Sequence, residues 1–192
     1  TPSSKASKTV AVYTTTINSN STNMGTVDTS SYNVISGATF TTSGNKLTIK
    51  GITSGTTTKD LKVVTATNKT GYSFSKWSVA SGTITAATTI TATFTANTYT
   101  VAYNGNGATG GSTANSSHTY NSAKALTTNG FTRTGYTFAG WNTQANGSGT
   151  NYSDNQSVTN LSSTQGATVT LYALWTQVSH TLTVNPNGGT YA

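Results

Sequence analysis

Two stretches of this chain repeat one another, Gly71-Tyr72-Ser73-Phe74-Ser75-Lys76-Trp77 and Gly135-Tyr136-Thr137-Phe138-Ala139-Gly140-Trp141, 64 residues apart. A repeat of this spacing constrains architecture before any local propensity does, because each copy must bury its own apolar face or share it with a neighbour. Each block is followed by a run alternating apolar and hydroxylated residues. Ile90, Ala92 and Phe94 share one face of residues 89–95, and Val169, Leu171, Ala173 and Trp175 share one face of residues 169–175. Period two is the signature of a half-buried β-strand.

A third correspondence lies where the modules begin. Tyr99-Thr100-Val101-Ala102-Tyr103-Asn104-Gly105 resembles His180-Thr181-Leu182-Thr183-Val184-Asn185-Pro186, and residues 8–13 are a looser version. The chain therefore parses into a leader or linker (1–7), a divergent module (8–97), a full module (98–177), and the first strand of a further repeat or a donor strand (178–192). In the last segment His180, Leu182 and Val184 are the candidate strand-donating residues. His180 takes the place of Tyr99, which favours a strand-face aromatic over a base or ligand.

Composition supports a β reading. Of 192 residues, 46 are Thr, 24 Ser, 19 Asn and 19 Gly, whereas a helical bundle needs an Ala/Glu/Lys/Leu-rich chain. A hydrophobic content of 33% is low for one large core and suits two thin ones. The expected fold class is mainly β, α+β at most, in tandem small modules with little or no helix. The best helix candidate is 122–126, with Asn121 as its cap. Five Asn-Gly pairs, at Asn104, Asn106, Asn129, Asn146 and Asn187, predict tight turns using positive φ.

The chemistry-bearing inventory is nearly empty: three acids (Asp28, Asp60, Asp154), two histidines (His118, His180) and no cysteine. We therefore expect no enzyme, no catalytic residue, no metal site and no cofactor. His118 lies beside Ser116 and Ser117 with Asp154 elsewhere in the chain, but no nucleophile elbow accompanies them. Three Asp also make a Lys–Asn isopeptide cross-link an unfavoured reading. Asn-x-Ser/Thr triplets are expected by chance in so hydroxyl-rich a chain, though glycosylation of a surface protein would use such positions. An ice-binding threonine array would need a short solenoid repeat, and this repeat is long.

Net charge is +7, carried mainly by the first half, where eight Lys face two Asp across residues 1–95. An anionic wall polymer or acidic polysaccharide is one reading of that excess. Dispersed Lys that keep β edges from sticking is the plainer one. With Arg133 the single arginine, no nucleic-acid partner is expected. No apolar run approaches the ~18 residues that cross a bilayer, so no membrane insertion is expected in this segment.

Thr132-Arg133-Thr134-Gly135-Tyr136-Thr137-Phe138-Ala139-Gly140-Trp141, preceded by Tyr99-Thr100-Val101 with its Asn/Gly turn and closed by Leu171-Tyr172-Ala173-Leu174-Trp175, resembles the Listeria–Bacteroides repeat, also called the internalin B-repeat family. The resemblance spans 98–177. Residues 8–97 resemble a divergent form that keeps the Gly71–Trp77 block, replaces Gly140 by Lys76, and closes on Phe94 instead of a Trp. What it implies is a small β-grasp-like module strung in tandem on secreted or surface-anchored bacterial proteins, as a stalk or adhesion module without catalysis. Extracellular or cell-surface localisation follows from the same resemblance.

Tyr72, Phe74, Trp77, Tyr136, Phe138, Trp141 and Trp175 are read as structural core anchors, because a thin module needs large side chains that remove much area from water. The competing role for Trp77 and Trp141 is an exposed sugar-stacking platform. Tyr and Phe two apart share a face, and the Trp that follows would fall on the other; a bulge at Gly140 would return it. The expected role is a structural stalk or filament subunit that self-associates, or pairs with neighbouring repeats, by strand donation. The alternative is an adhesin whose exposed aromatics and loops, such as 144–156, grip a glycan or host surface protein.

Overall fold

The computed structural model describes residues 12–27, 38–43, 46–53, 66–78, 85–183 and 187–188. Strands dominate and no helix occurs among the described residues. The chain divides into two compact units: Thr1–Tyr99 with Thr119–Asn121 and Ser162–Ala167, and Thr100–His118 with Ser122–Leu161 and Thr168–Ala192.

In the first unit β1 (Val12–Ser19), β2 (Gly25–Val27), β3 (Thr39–Ser43), β4 (Lys46–Thr53), β5 (Ala66–Asn68), β6 (Tyr72–Trp77) and β7 (Thr88–Ala96) follow in order. Five of them form a sheet ordered β3-β4-β1-β7-β6, and β2 pairs with β5 separately. The opening strand β1 runs parallel to the closing strand β7, with Ile17 opposite Ile90. These two, with Leu47, Ile49 and Ile52 of β4, form one apolar cluster; Val27, Ala92 and Phe94 form a second. Trp77 is packed against both, and Phe74 against the second. Alternation along Ile90, Ala92 and Phe94 puts all three on the buried face of β7.

The second unit is built from β8 (Thr98–Asn104), β9 (Gly110–Gly111), β10 (Ser116–Thr119), β11 (Lys124–Ala125), β12 (Phe131–Thr132), β13 (Tyr136–Asn142), β14 (Asn151–Tyr152), β15 (Ser157–Val158) and β16 (Thr168–Gln177). Its sheet is ordered β10-β8-β16-β13-β14, with β11·β15 and β9·β12 as small separate ladders. Opening strand β8 again runs parallel to closing strand β16, and β13 lies antiparallel on the other side of β16. Val101, Tyr103, Leu126, Trp141, Val158, Leu171 and Ala173 are buried around this ladder.

The shared part of the two units is thus a three-strand ladder: opening strand, closing strand, then the Gly-Tyr-x-Phe strand. Parallel pairing of the first strand with the last requires a long crossover, which the intervening strands supply. Both ladders are interrupted at the same place. Phe74 pairs with Phe94 and Lys76 with Thr93, skipping Ser75; Phe138 pairs with Trp175 and Gly140 with Leu174, skipping Ala139. The extra residue resets the period, so each Trp lands on the same face as the Phe three positions earlier.

Two local expectations need correction. Residues 122–126 contain β11, paired to β15, and Asn121 has φ 57°, whereas a helix cap needs an extended residue. Gly105 and Gly130 do not adopt positive φ; instead Asn104 and Asn129 accept the backbone N–H two residues on, at 2.8 and 3.0 Å. His180 and Leu182 lie in no strand, and Val184 is outside the described residues.

Candidate functional site

The bulged strand positions the aromatic residues. In the second unit Trp141 is fully buried, with ring centroids 4.8 Å from Tyr103, 4.9 Å from Phe138 and 6.3 Å from Phe131. Phe138 also meets Trp175 at 5.7 Å, so Phe138, Trp141 and Trp175 form one cluster. The indole N–H bonds divide unevenly: Trp175 Nε1 donates to Gly105 O at 2.9 Å, while buried Trp141 Nε1 has no partner among the described residues. In the first unit Phe74 lies 5.4 Å from Trp77 and 5.8 Å from Phe94, but Trp77 is only half-buried. Tyr72 and Tyr136 sit apart from these clusters, at the entrances of their strands.

Those entrances share a turn. Tyr72 N–H donates to Lys69 O at 3.0 Å and Tyr136 N–H to Arg133 O at 3.1 Å, with Gly71 and Gly135 at φ 80° and 78°. Glycine at the third position with positive φ is the arrangement of a type II turn, which sets the side chains of its first and last residues beside each other. Across it the Arg133 guanidinium lies 4.0 Å from the Tyr136 ring centroid, a cation–π geometry. At the corresponding turn it is Tyr120 that packs on Tyr72, edge to face at 5.5 Å, and Asn121 Nδ2 donates to the Tyr72 hydroxyl at 3.4 Å. The sequence carries the signal as Lys69-Thr70-Gly71-Tyr72 and Arg133-Thr134-Gly135-Tyr136, a cation three residues before the tyrosine of each block.

Around Arg133 the backbone is held on several sides. Thr109 Oγ1 accepts from Thr134 N–H at 3.0 Å, and Thr109 N–H donates to Thr132 O at 2.8 Å, which fixes the turn against the 104–111 loop. That loop turns through consecutive left-handed residues, Asn106 at φ 46° and Gly107 at 88°. A Cβ at Gly107 would stand 3.2 Å from Arg133 Nη1, so glycine leaves the guanidinium its room. Asn106 Nδ2 donates to Ala145 O (2.8 Å) and Ala173 O (2.9 Å). Beside Arg133 the loop and Phe131 line an open depression of about 430 Å³.

A second anchored loop, residues 143–150, joins β13 to β14. Buried Asn142 holds it by donating to Gly147 O (3.1 Å) and Asn151 Oδ1 (2.6 Å) and accepting from Gln144 N–H (2.7 Å) and Gly149 N–H (3.0 Å). All four capacities of the side-chain amide are used. Gly140 has φ 133°, and a Cβ there would meet Tyr152 O at 2.9 Å, so the edge strand β14 can pair only because this position is glycine.

The remaining polar cluster is internal. His118, 1% exposed, exchanges a 2.9 Å hydrogen bond between Nε2 and Ser116 Oγ, which lies 3.2 Å from the Tyr103 hydroxyl; that hydroxyl accepts from Thr127 N–H at 2.7 Å. Burial lowers the His118 pKa from its ordinary value, and nearby Lys124 adds to the effect. Asp154 Oδ1 accepts from Asn129 N–H at 2.8 Å. Among the described residues no group of three or more His, Asp or Glu could hold a metal, and no helix is long and apolar enough to cross a membrane.

No curated protein matches this chain. The Listeria-Bacteroides repeat domain matches it twice, at residues 32–98 and 99–174. The first match begins after β1, although β1 holds the same place beside β7 that β8 holds beside β16. The repeat is of a kind typical of bacterial surface proteins. With two tandem copies covering most of its length, the chain belongs to the Listeria-Bacteroides repeat family.

Proposed function

We propose that this chain is a non-enzymatic extracellular repeat protein that works through reach, as a stalk or filament subunit whose neighbouring copies join by strand donation. The observation that carries this reading is at residues 178–183. They share the pattern of β8, which in its own unit lies parallel to a closing strand; Val178 N–H donates to Gly135 O at 2.9 Å at the end of the β13–β16 ladder, and residues 179–183 lie in no strand. Leu182 is 86% exposed and Val178 38%, the exposed large hydrophobics of the described structure. A strand with an apolar face gains by lying beside the edge of another copy, where backbone pairing supplies affinity and the alternate side chains supply register. Deleting 178–192, and separately substituting Leu182→Asp, is expected to abolish filaments in electron micrographs and leave a monomer by light scattering. Filaments that persist in both variants would refute strand donation.

A second reading, adhesion, draws support from the rigidly held loops of the second unit. Binding residues on β scaffolds cluster on such loops, and the Asn142 hydrogen bonds preorganise 143–150 without a ligand.

A further inference from the structure

We infer that the turn at Arg133 and the neighbouring 104–111 depression form a binding site for a carboxylated sugar, of the uronic-acid class. This gives the adhesion reading its ligand chemistry and rests on that reading, not on filament assembly.

Arg133 is the only arginine of the chain, and its guanidinium, with five N–H donors and no acceptor, has no carboxylate or hydrogen-bond acceptor among the described residues. Its placement is nevertheless defined: the Tyr136 ring supports it from below, and Thr109 fixes the turn that carries it. A cation held by an aromatic face, with its donors unspent, is prepared for a planar bidentate anion. A Cβ built on Gly135 meets nothing within 4 Å, so that side of the turn is open to an incoming group.

The adjoining walls select what carries the anion. Asn104, Asn106, Thr109 and the Phe131 ring surround the depression. Asn104 uses its Oδ1 on Asn106 N–H and keeps its Nδ2 donors; Asn106 uses Nδ2 and keeps acceptor capacity on Oδ1. Short amide and hydroxyl groups beside one aromatic side chain, Phe131, suit the several hydroxyls and the C–H face of a pyranose ring. An acidic peptide would want an apolar slot for its side chains, and the 104–111 rim is asparagine, glycine, alanine and threonine.

The first unit supplies an internal control. Lys69 occupies the place of Arg133 and lines an open depression of its own, but there Tyr120 and Asn121 engage the tyrosine, and a Cβ on Gly71 would run into the Tyr120 ring. Lys69→Gln removes one positive charge at the matching turn, so general attraction of a +7 chain for a polyanion predicts equal losses for the two substitutions. Site-specific binding predicts unequal ones.

The test is calorimetric titration of the whole chain with trigalacturonate, and with neutral maltotriose, at physiological salt. The unmodified protein is expected to bind trigalacturonate and ignore maltotriose. Arg133→Gln should weaken binding about tenfold or more, the worth of a charge-assisted forked pair, and Arg133→Lys should weaken it several-fold. Lys69→Gln should leave affinity within about twofold, and all three variants should keep the parent's circular dichroism and melting behaviour. Absence of binding by the unmodified protein, or equal losses in Arg133→Gln and Lys69→Gln, would overturn the proposal. Filament formation by Arg133→Gln, scored in micrographs, reports separately on strand donation.

Discussion

The two Gly-Tyr-x-Phe strands pair and bulge alike but are finished differently. Beyond β13 lies the short edge strand β14, opposite Trp141 and Asn142, and Trp141 is sealed; β6 carries Lys76 where β13 has Gly140, and Trp77 stays half-buried. The bulge is therefore what the repeat preserves, since it alone decides which face the Trp meets. Edge strands, loops and turn contacts are added around it. Glycine at position 140 answers to the approach of Tyr152 O, not to the bulge, because Lys76 takes the equivalent place in a ladder with the same skipped residue.

That comparison can be broken first at the tryptophans. Trp141→Ala should cost about 3–5 kcal/mol in denaturant unfolding of the second unit, since it empties a fully enclosed site. Trp77→Ala should cost the first unit about 1–3 kcal/mol, because part of the side chain already meets water. Equal losses would mean that burial of the indole does not distinguish the units.

Exchanging the residue after the bulge sharpens the same point. Gly140→Lys forces a side chain into a left-handed position against a carbonyl, for about 1–3 kcal/mol. Lys76→Gly should change stability by less than about 1 kcal/mol, with only backbone entropy at stake. Asn142→Ala comes next in reach if not in size: it strands several backbone groups of the 143–150 loop, so about 1–3 kcal/mol should be lost, with faster amide exchange at Gln144 and Gly149. Exchange unchanged at those amides would show that the loop is held by other means.

The smallest effect is a pH dependence confined to the second unit. His118 has a folded-state pKa below its unfolded 6.5, so the unfolded chain binds the proton more readily. Its contribution is whole above that value and is lost as pH falls below it, down through the folded pKa. His118→Gln should flatten the slope of stability against pH in that window; a slope that persists would assign it to other groups.

Much of the ladder could be read from the amino acids, because buried positions alternate along β7 and β8 and at Leu171 and Ala173 of β16. The two-residue strands β9, β11, β12, β14 and β15 could not, since two residues carry no period. The helix expected after Asn121 failed because a left-handed asparagine ends a turn instead of opening a helix. The bulge was legible as a conflict, Trp on the wrong parity, and it falls at Ser75 and Ala139, in the second unit one residue before Gly140 and in the first one residue before Lys76. The Trp175 indole finds Gly105 O because that carbonyl follows directly on β8, the strand paired with β16. The Arg133–Tyr136 pair is not legible in periodicity, because nearness across a turn is a matter of backbone geometry.

Cross-strand nuclear Overhauser contacts between backbone protons test the repeated bulged ladder most directly. The account predicts Trp77 opposite Ala92 and Trp141 opposite Ala173, with Ser75 and Ala139 each passed over and both indoles on the face of the preceding Phe. An uninterrupted register in either unit, with its indole on the face opposite Phe74 or Phe138, would contradict it.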